Sequence, residues 1–393
     1  MPIRADDAYK LPLFYTNHST LPTGHWFPMS IAIRSFAKIN LGLKIGSPRP
    51  DGFHELRTIY QTLALHDVVR IEVQSGEGIE IRCRDPRVPC DATNTCWKIT
   101  ERVLKTATAD SPRGLKSARD RKGGGLNGTP EGVPPQNKVI ITIEKHLPIQ
   151  GGMGAASSNA IAAMLGLERA LGVEIAPQDK LSIAAEVGSD LPLFLIGGTV
   201  LGIDRGQEVY ALQDLPAIAV VVVTPSVGVS TPKAFAQWDA LMVTQAVPES
   251  ALTTPAATGT IKKFDQAVYA WLSESFLSRA RLAEEPASGV PAVGGDRAET
   301  SLLDLVRTGI ENDFERVVFP EYPDLREVKR VLQREGARYA SLSGSGSALY
   351  GLFASADEAE AAAQRMRAAG HAAVATSTLT RAEYWQRLVI SNW

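Results

Sequence analysis

Between residues 139 and 167 the hydrophobic pattern changes period, and the change falls on a glycine-rich loop. Val139-Ile140-Ile141-Thr142-Ile143 is short and β-branched, as a buried strand is. Ala160-Ile161-Ala162-Ala163-Met164-Leu165-Gly166-Leu167 favours helix. Between them, Leu147-Pro148-Ile149-Gln150-Gly151-Gly152-Met153-Gly154-Ala155-Ala156-Ser157-Ser158-Asn159 puts its glycines at a strand-to-helix junction. Glycine there lets backbone approach a ligand closely. The first amides of a helix lack intrahelical acceptors and lie at the positive end of its dipole, so a polyphosphate suits them. Taken alone, the loop is equally a tight turn with Ser157 or Ser158 as an ordinary helix cap. It does not end in Gly-Lys-Ser/Thr, and Ser157 stands where the third glycine of a G-x-G-x-x-G beginning at Gly152 would fall.

With 393 residues, 44% of them hydrophobic and 21% charged, the chain has room for two cores, and two domains are expected. A formal charge of −2 leaves no broad basic footprint. That argues against nucleic acid or an anionic membrane as partner and for small-molecule chemistry. Cys83, Cys90 and Cys96 are odd in number and not spaced like paired zinc knuckles, so they read as free thiols in a reducing compartment. No apolar run reaches the ~18 residues that span a bilayer. Arg4, Asp6 and Asp7 do not open a secretory signal, and a cytoplasmic location is the expectation.

Residues 1–29, rich in proline, read as an N-terminal extension, with Met29 as an alternative start. A first domain is expected over 30–214 and a second over 215–393, the boundary lying near Asp214. Composition shifts to Ser, Arg, Lys, Gly and Pro over 107–136, a flexible insertion, and shorter ones follow at 253–260 and 284–296. The basic run Arg113 to Lys122 reads as a solvated loop.

Three further segments narrow the reading. Phe36-Ala37-Lys38-Ile39-Asn40-Leu41-Gly42-Leu43 is followed by Pro50-Asp51-Gly52-Phe53-His54-Glu55-Leu56; then come Gly188-Ser189-Asp190-Leu191-Pro192 and Ser341-Leu342-Ser343-Gly344-Ser345-Gly346-Ser347. With the central loop, these resemble the GHMP kinase superfamily of small-molecule kinases, whose three motifs occur here in order. The resemblance implies an α/β (α+β) fold of two domains. The first is a ribosomal-protein-S5-like unit, the second is ferredoxin-like, and the active site is the cleft between them. The pairing of A-K-I-N-L with P-D-G-F-H-E-L and G-S-D-L-P is similar to the branch that uses ATP and Mg2+ to phosphorylate the 2-hydroxyl of a cytidine diphospho-methylerythritol.

By that resemblance Asp190 and Lys38 are the catalytic pair. Pro148, Gly151, Gly152, Met153, Gly154, Ala155, Ala156, Ser157 and Ser158 hold the ATP phosphates, with Asn94 and Lys145 near the rest of the nucleotide. Mg2+ bridges phosphate oxygens without a dedicated protein cage. On the substrate side stand Asn40, Phe53, His54, Asp190, Thr231, Phe235, Gly344, Ser345 and Gly346. His54 matches a histidine that reads the cytosine edge, and Phe53 replaces an aromatic, usually tyrosine, beside the base. Read singly, Asn94 is equally a helix cap and Lys145 a surface charge, whereas Asp190 alone reads first as a helix cap or turn residue. Met153, Ala155 and Ala156 depart from the family's glycine-rich run. Alanine resists positive φ, so a wider loop or altered ATP affinity is expected. The alternatives are another kinase of the superfamily, of mevalonate or homoserine type, and a non-catalytic nucleotide-binding protein on the same fold. The segment Asp51 to Leu56 argues against the first, and the joint presence of Lys38 and Asp190 against the second.

Overall fold

The computed structural model describes residues 30–109, 137–149, 151–245, 261–266, 268–269 and 311–390. The expected extension over 1–29, most of the insertion over 107–136, and the stretches 253–260 and 284–296 lie outside the described residues.

Strand β1 (Ser30–Pro48) runs antiparallel to β2 (His54–Ser75), and the two form the centre of a seven-stranded sheet. Strand β3 (Gly78–Cys83) pairs in parallel with β4 (Asn137–Glu144), which lies antiparallel to β2. The hairpin of β5 (Thr199–Ile203) and β6 (Glu208–Ala211) joins β2 nearer its start. Helices α1 (Thr95–Ala109), α2 (Ala155–Leu171) and α3 (Pro177–Val187) belong to this unit, and α2 packs across β1 and β2. Because α2 is buried from Ser158 to Glu168, it can be apolar on nearly every side.

A second, all-antiparallel sheet holds β7 (Ala219–Val223), β8 (Tyr339–Leu342), β9 (Leu349–Phe353) and β10 (Ala373–Ser377) in the order β10-β7-β9-β8. Helices α4 (Thr231–Gln245), α5 (Glu315–Glu321) and α6 (Pro323–Arg334) fall between β7 and β8, and α7 (Ala356–Ala368) between β9 and β10. The succession of strands and helices is that of a ferredoxin-like layer. The apolar run at β7 reflects burial on both faces. Val221 and Val223 pack with the helices, while Val220 and Val222 join Ala37, Ile39 and Leu41 of β1 in a core between the two sheets.

One element departs from the expected division. Residues 381–390, assigned by sequence to the second unit, form α8 (Arg381–Leu388) and β11 (Val389–Ile390), and β11 pairs with β1. A capping box of Thr380 and Glu383 starts α8. Its buried Tyr384 then donates to the Phe194 carbonyl at 2.7 Å and Trp385 to that of Ile196 at 3.0 Å, so the helix completes the first core. Cys83, Cys90 and Cys96 are free thiols.

The loop ahead of α2 is fastened by one carboxylate. Asp67 of β2, 0% exposed, accepts from the amides of His146 and Leu147, both at 2.7 Å, and from Lys145 Nζ at 2.8 Å and Asn159 Nδ2 at 3.0 Å. Removing it strands an ammonium and two amides, so Asp67→Ala is expected to cost ~3–5 kcal/mol of folding stability. A urea unfolding curve measures this; a midpoint equal to that of the wild type would show that the loop is held by other contacts.

Candidate active site

The site begins with a break in β1. The register with β2 shifts between Phe36 and Lys38, and such a bulge re-aims the side chains that follow it. Lys38, 3% exposed, donates from Nζ to Asn40 Oδ1 at 2.7 Å and to the Gly152 carbonyl at 2.8 Å, and lies 3.5 Å from Asp190 Oδ2. Burial pulls the Lys38 pKa below its ordinary value, and the neighbouring Asp190 charge opposes that shift. Asn40 is itself oriented, donating to Thr58 Oγ1 at 2.8 Å.

Asp190 sits in the turn between α3 and a short 3₁₀ segment (Pro192–Leu195). Its side chain is 35% exposed and anchored at one oxygen by the Tyr60 hydroxyl at 3.1 Å. Burial first, and the Asp190 charge second, raise the Tyr60 pKa well above its ordinary value, so this phenol remains a donor.

The central loop meets this pair from the other side. Positive φ falls on Gly152 (72°) and Gly154 (69°), not on the alanines. A Cβ on Gly152 would come 2.0 Å from the Ser343 carbonyl oxygen, and one on Gly154 would press on the Phe194 ring and the Lys38 stem. Ala155 and Ala156 are already the first residues of α2, where alanine is favoured, so they impose no strain on the loop. Gly154 is the N-cap and supplies no side-chain cap, which leaves the first-turn amides to other acceptors; Ser157 and Ser158 lie within the helix and are not its cap. Met153 is buried in the core between the sheets, and its carbonyl accepts from Lys38 N at 3.0 Å.

The C-terminal glycine loop closes the arrangement. Ser343 Oγ donates to the Gly152 carbonyl at 2.9 Å and the Ala348 amide to that of Gly151 at 3.1 Å. Gly344, with φ of 58°, lies against Asn40 and Lys38 Nζ, and Ser345 Oγ is 2.7 Å from Thr231 Oγ1 at the start of α4. All three expected motifs therefore converge on Lys38.

The remaining expected residues form two groups beside this centre. Phe53, 50% exposed, carries the Arg205 guanidinium 4.8 Å from its ring centre, and the buried His54 ring stacks on Phe235. Lys145 and Pro148 line a cleft of about 770 Å³, together with Gly151, Met153, Thr224 and Ser347. Asn94 caps α1, its Oδ1 accepting from Cys96 N at 2.8 Å and its Nδ2 donating to the Pro89 carbonyl at 2.6 Å. The adjacent Thr95 donates to the Ala156 carbonyl at 2.8 Å, bringing α1 beside the start of α2.

Tyr60, Asp67, Asp239 and Asn312 support these groups and were not singled out from the sequence. Asn312 donates to the carbonyls of Leu342 and Gly344, both at 2.8 Å, and so holds the C-terminal loop. Each takes its role from a partner far away in the chain, which no local pattern signals; Asn312, for example, stands in the polar run Glu311-Asn312-Asp313.

Comparison with known proteins adds an independent line. The GHMP kinases N terminal domain profile matches residues 119–198, and the GHMP kinases C terminal profile matches residues 298–372. A 4-diphosphocytidyl-2-C-methyl-D-erythritol kinase of Solibacter usitatus is 33% identical over 322 residues, which cover 82% of this chain and 80% of the relative. One from Acaryochloris marina is 31% identical over 338 residues, 86% of this chain and 91% of the relative. The crystal structure of a 4-(cytidine 5'-diphospho)-2C-methyl-D-erythritol kinase superposes with a TM-score of 0.56 at 24% identity, covering 88% of this chain and 98% of that one. That of a homoserine kinase from Cytophaga hutchinsonii gives 0.58 at 18% identity, covering 93% and 98%. The two structures share the fold, the two-domain GHMP kinase architecture expected from the motifs. Sequence identity extending over most of both chains settles the branch, and the protein belongs to the 4-diphosphocytidyl-2-C-methyl-D-erythritol kinase family of GHMP kinases.

Proposed function

We propose that this chain transfers the γ-phosphoryl group of ATP to the 2-hydroxyl of 4-diphosphocytidyl-2-C-methyl-D-erythritol, a step of the methylerythritol phosphate route to isoprenoid precursors. The observation that carries the reading is the meeting of a buried ammonium, a partly exposed carboxylate and an uncapped helix N-terminus at one point. Phosphoryl transfer needs little else: positioning, neutralisation of the migrating charge and a group that orients the attacking hydroxyl.

In this reading the amides opening α2, with Gly151, Gly152 and the Ser157 and Ser158 hydroxyls, hold the phosphates. Lys38 offsets negative charge on the transferring group. Asp190 orients the substrate hydroxyl and takes its proton late, as the bond to the leaving ADP breaks; Tyr60 keeps the carboxylate aimed. Asn40, Gly344, Ser345 and Gly346 flank the methylerythritol and its phosphates. Phe53, His54, Thr231 and Phe235 receive the cytidine, and the cleft at Lys145 and Pro148, with Asn94 nearby, receives the base and ribose of ATP.

Mg2+ accompanies the nucleotide in this proposal. The oxygen donors at hand are the Asp190 carboxylate and the Ser157 and Ser158 hydroxyls. Among the described residues no cluster of three or more His, Cys, Asp or Glu forms a metal cage. Such a donor set fits an ion that keeps several waters and is held mainly by phosphates, where it would neutralise charge on the β- and γ-oxygens. No helix among the described residues is long and apolar enough to cross a membrane. We place the reaction in the cytoplasm.

ADP release with Mg-ATP tests the reading: turnover is expected with the cytidine compound and not with mevalonate or homoserine. Turnover with one of those alcohols instead would move the chain to another branch, and none at all would overturn the kinase reading. Asp190→Asn and Lys38→Met are each expected to lower kcat ~10²-fold or more with the fold intact, and Tyr60→Phe to lower it about 10-fold. Gly152→Ala, which drives a methyl into the Ser343 carbonyl, should lower kcat/KM for ATP by ~10²-fold. The charged form of Lys38 is the working one and its pKa is depressed, so activity should fall on the alkaline side below the lysine value of 10.5. A pH–rate profile that stays flat through that value would remove Lys38 from the mechanism.

A further inference from the structure

Asp239 meets the site through His54. On α4, Phe235 and Asp239 are one turn apart and face the same way. The Phe235 ring stacks on the His54 imidazole, with centroids 4.8 Å apart and planes 12° from parallel, and Phe314 backs Phe235 edge-on at 5.0 Å. Asp239 Oδ1 lies 2.7 Å from His54 Nε2. The stack sets the plane of the imidazole, and the carboxylate sets its rotation within that plane.

An ionised carboxylate only accepts hydrogen bonds, so the ring nitrogen that faces it carries the hydrogen. In a neutral imidazole the other nitrogen, Nδ1, then bears a lone pair and can only accept. A base edge bonded to Nδ1 lies in the imidazole plane and extends the layer parallel to Phe235. Cytosine offers an amine donor at its C4 position, whereas the keto pyrimidine offers a carbonyl there. The lone pair pairs with the amine and repels the carbonyl.

We infer that Asp239 is a specificity-determining positioning residue: by keeping the proton on His54 Nε2 it presents an Nδ1 acceptor that selects a cytosine over a uracil in the substrate. The inference rests on the proposed reading of the site as one that takes a cytidine diphospho-alcohol.

Asp239→Asn is the informative change, because a carboxamide both donates and accepts and so removes the bias toward one tautomer. Two measurements on the full chain test it. In the first, kcat/KM is compared for cytidine diphospho-methylerythritol and its uridine counterpart. The cytidine preference should fall by about 10-fold or more in Asp239→Asn, mainly through KM. Asp239→Leu, which bonds neither way, should show the same loss and guards against a folding defect in one variant. In the second, long-range ¹H–¹⁵N spectra read the tautomer of His54 without substrate, its signals assigned by their absence in His54→Gln. The wild type should show Nε2–H, and Asp239→Asn a mixture of both forms. A cytidine preference that stays within about twofold of the wild-type value in both variants, or an Nδ1–H tautomer in the wild type, would overturn the inference. Failure of the wild type to turn over the cytidine compound would instead overturn the proposed function, since the tautomer measurement needs no substrate.

Discussion

A single buried ammonium organises this structure. Lys38 is almost wholly removed from water, and an unpaired charge in that position would cost several kcal/mol. It persists because three separate segments bring acceptors to it: Asn40 from its own strand, the Gly152 carbonyl from the central loop and Asp190 from the turn after α3. The first two arrive there through irregular local conformations. Strand β1 carries a bulge, the loop takes positive φ at two glycines, and α2 starts without a side-chain cap. What looks like local irregularity at each place is the geometry required by one shared charge.

The C-terminal loop is tied into the same centre by a second buried polar group. Residues 311–313 run along β1, with Leu43 N donating to the Glu311 carbonyl at 3.0 Å and Asp313 N to that of Leu43 at 2.9 Å. From that position Asn312 grips the loop, while Asp313 takes hydrogen bonds from Lys44 Nζ and the Ile45 amide, both at 3.0 Å. Burial raises the Asp313 pKa, and Lys44 opposes the shift. The loop's geometry is therefore referred to the strand that carries Lys38 and not only to its own sheet.

The chemistry-bearing part of this site was legible in the sequence because its signals are local. Glycines in a loop, an abrupt change of hydrophobic period and short motifs are all read within a dozen residues, and α2 contains the helical run from Ala160 to Leu167 and extends it at both ends. Fasteners such as Asp67, Tyr60 and Asn312 were not legible. Asp67 is one acid in a β-branched strand, and the contacts that give it meaning come from residues 145 to 159. Met153 shows the opposite case: it stands in the loop, yet it also belongs to the core between the sheets, where an apolar side chain is more stable. The alanines at 155 and 156 leave the loop undisturbed because α2 starts at Ala155, two residues ahead of Ser157.

Strand β11 has a consequence of a different kind. It pairs Ile390 with Ala32, so the two ends of the described chain are neighbours in one sheet while the whole second sheet is strung between them. During synthesis, β1 and β2 leave the ribosome long before residues 381–390, and until those arrive this edge of β1 has its hydrogen-bonding groups open. The first unit cannot reach its final form ahead of the second, although it is encoded largely upstream, and the closing contact carries the entropic cost of a very long loop. A nascent chain of this topology carries the Ala32–Ile33 edge of β1 without its final partner for nearly the whole of its translation.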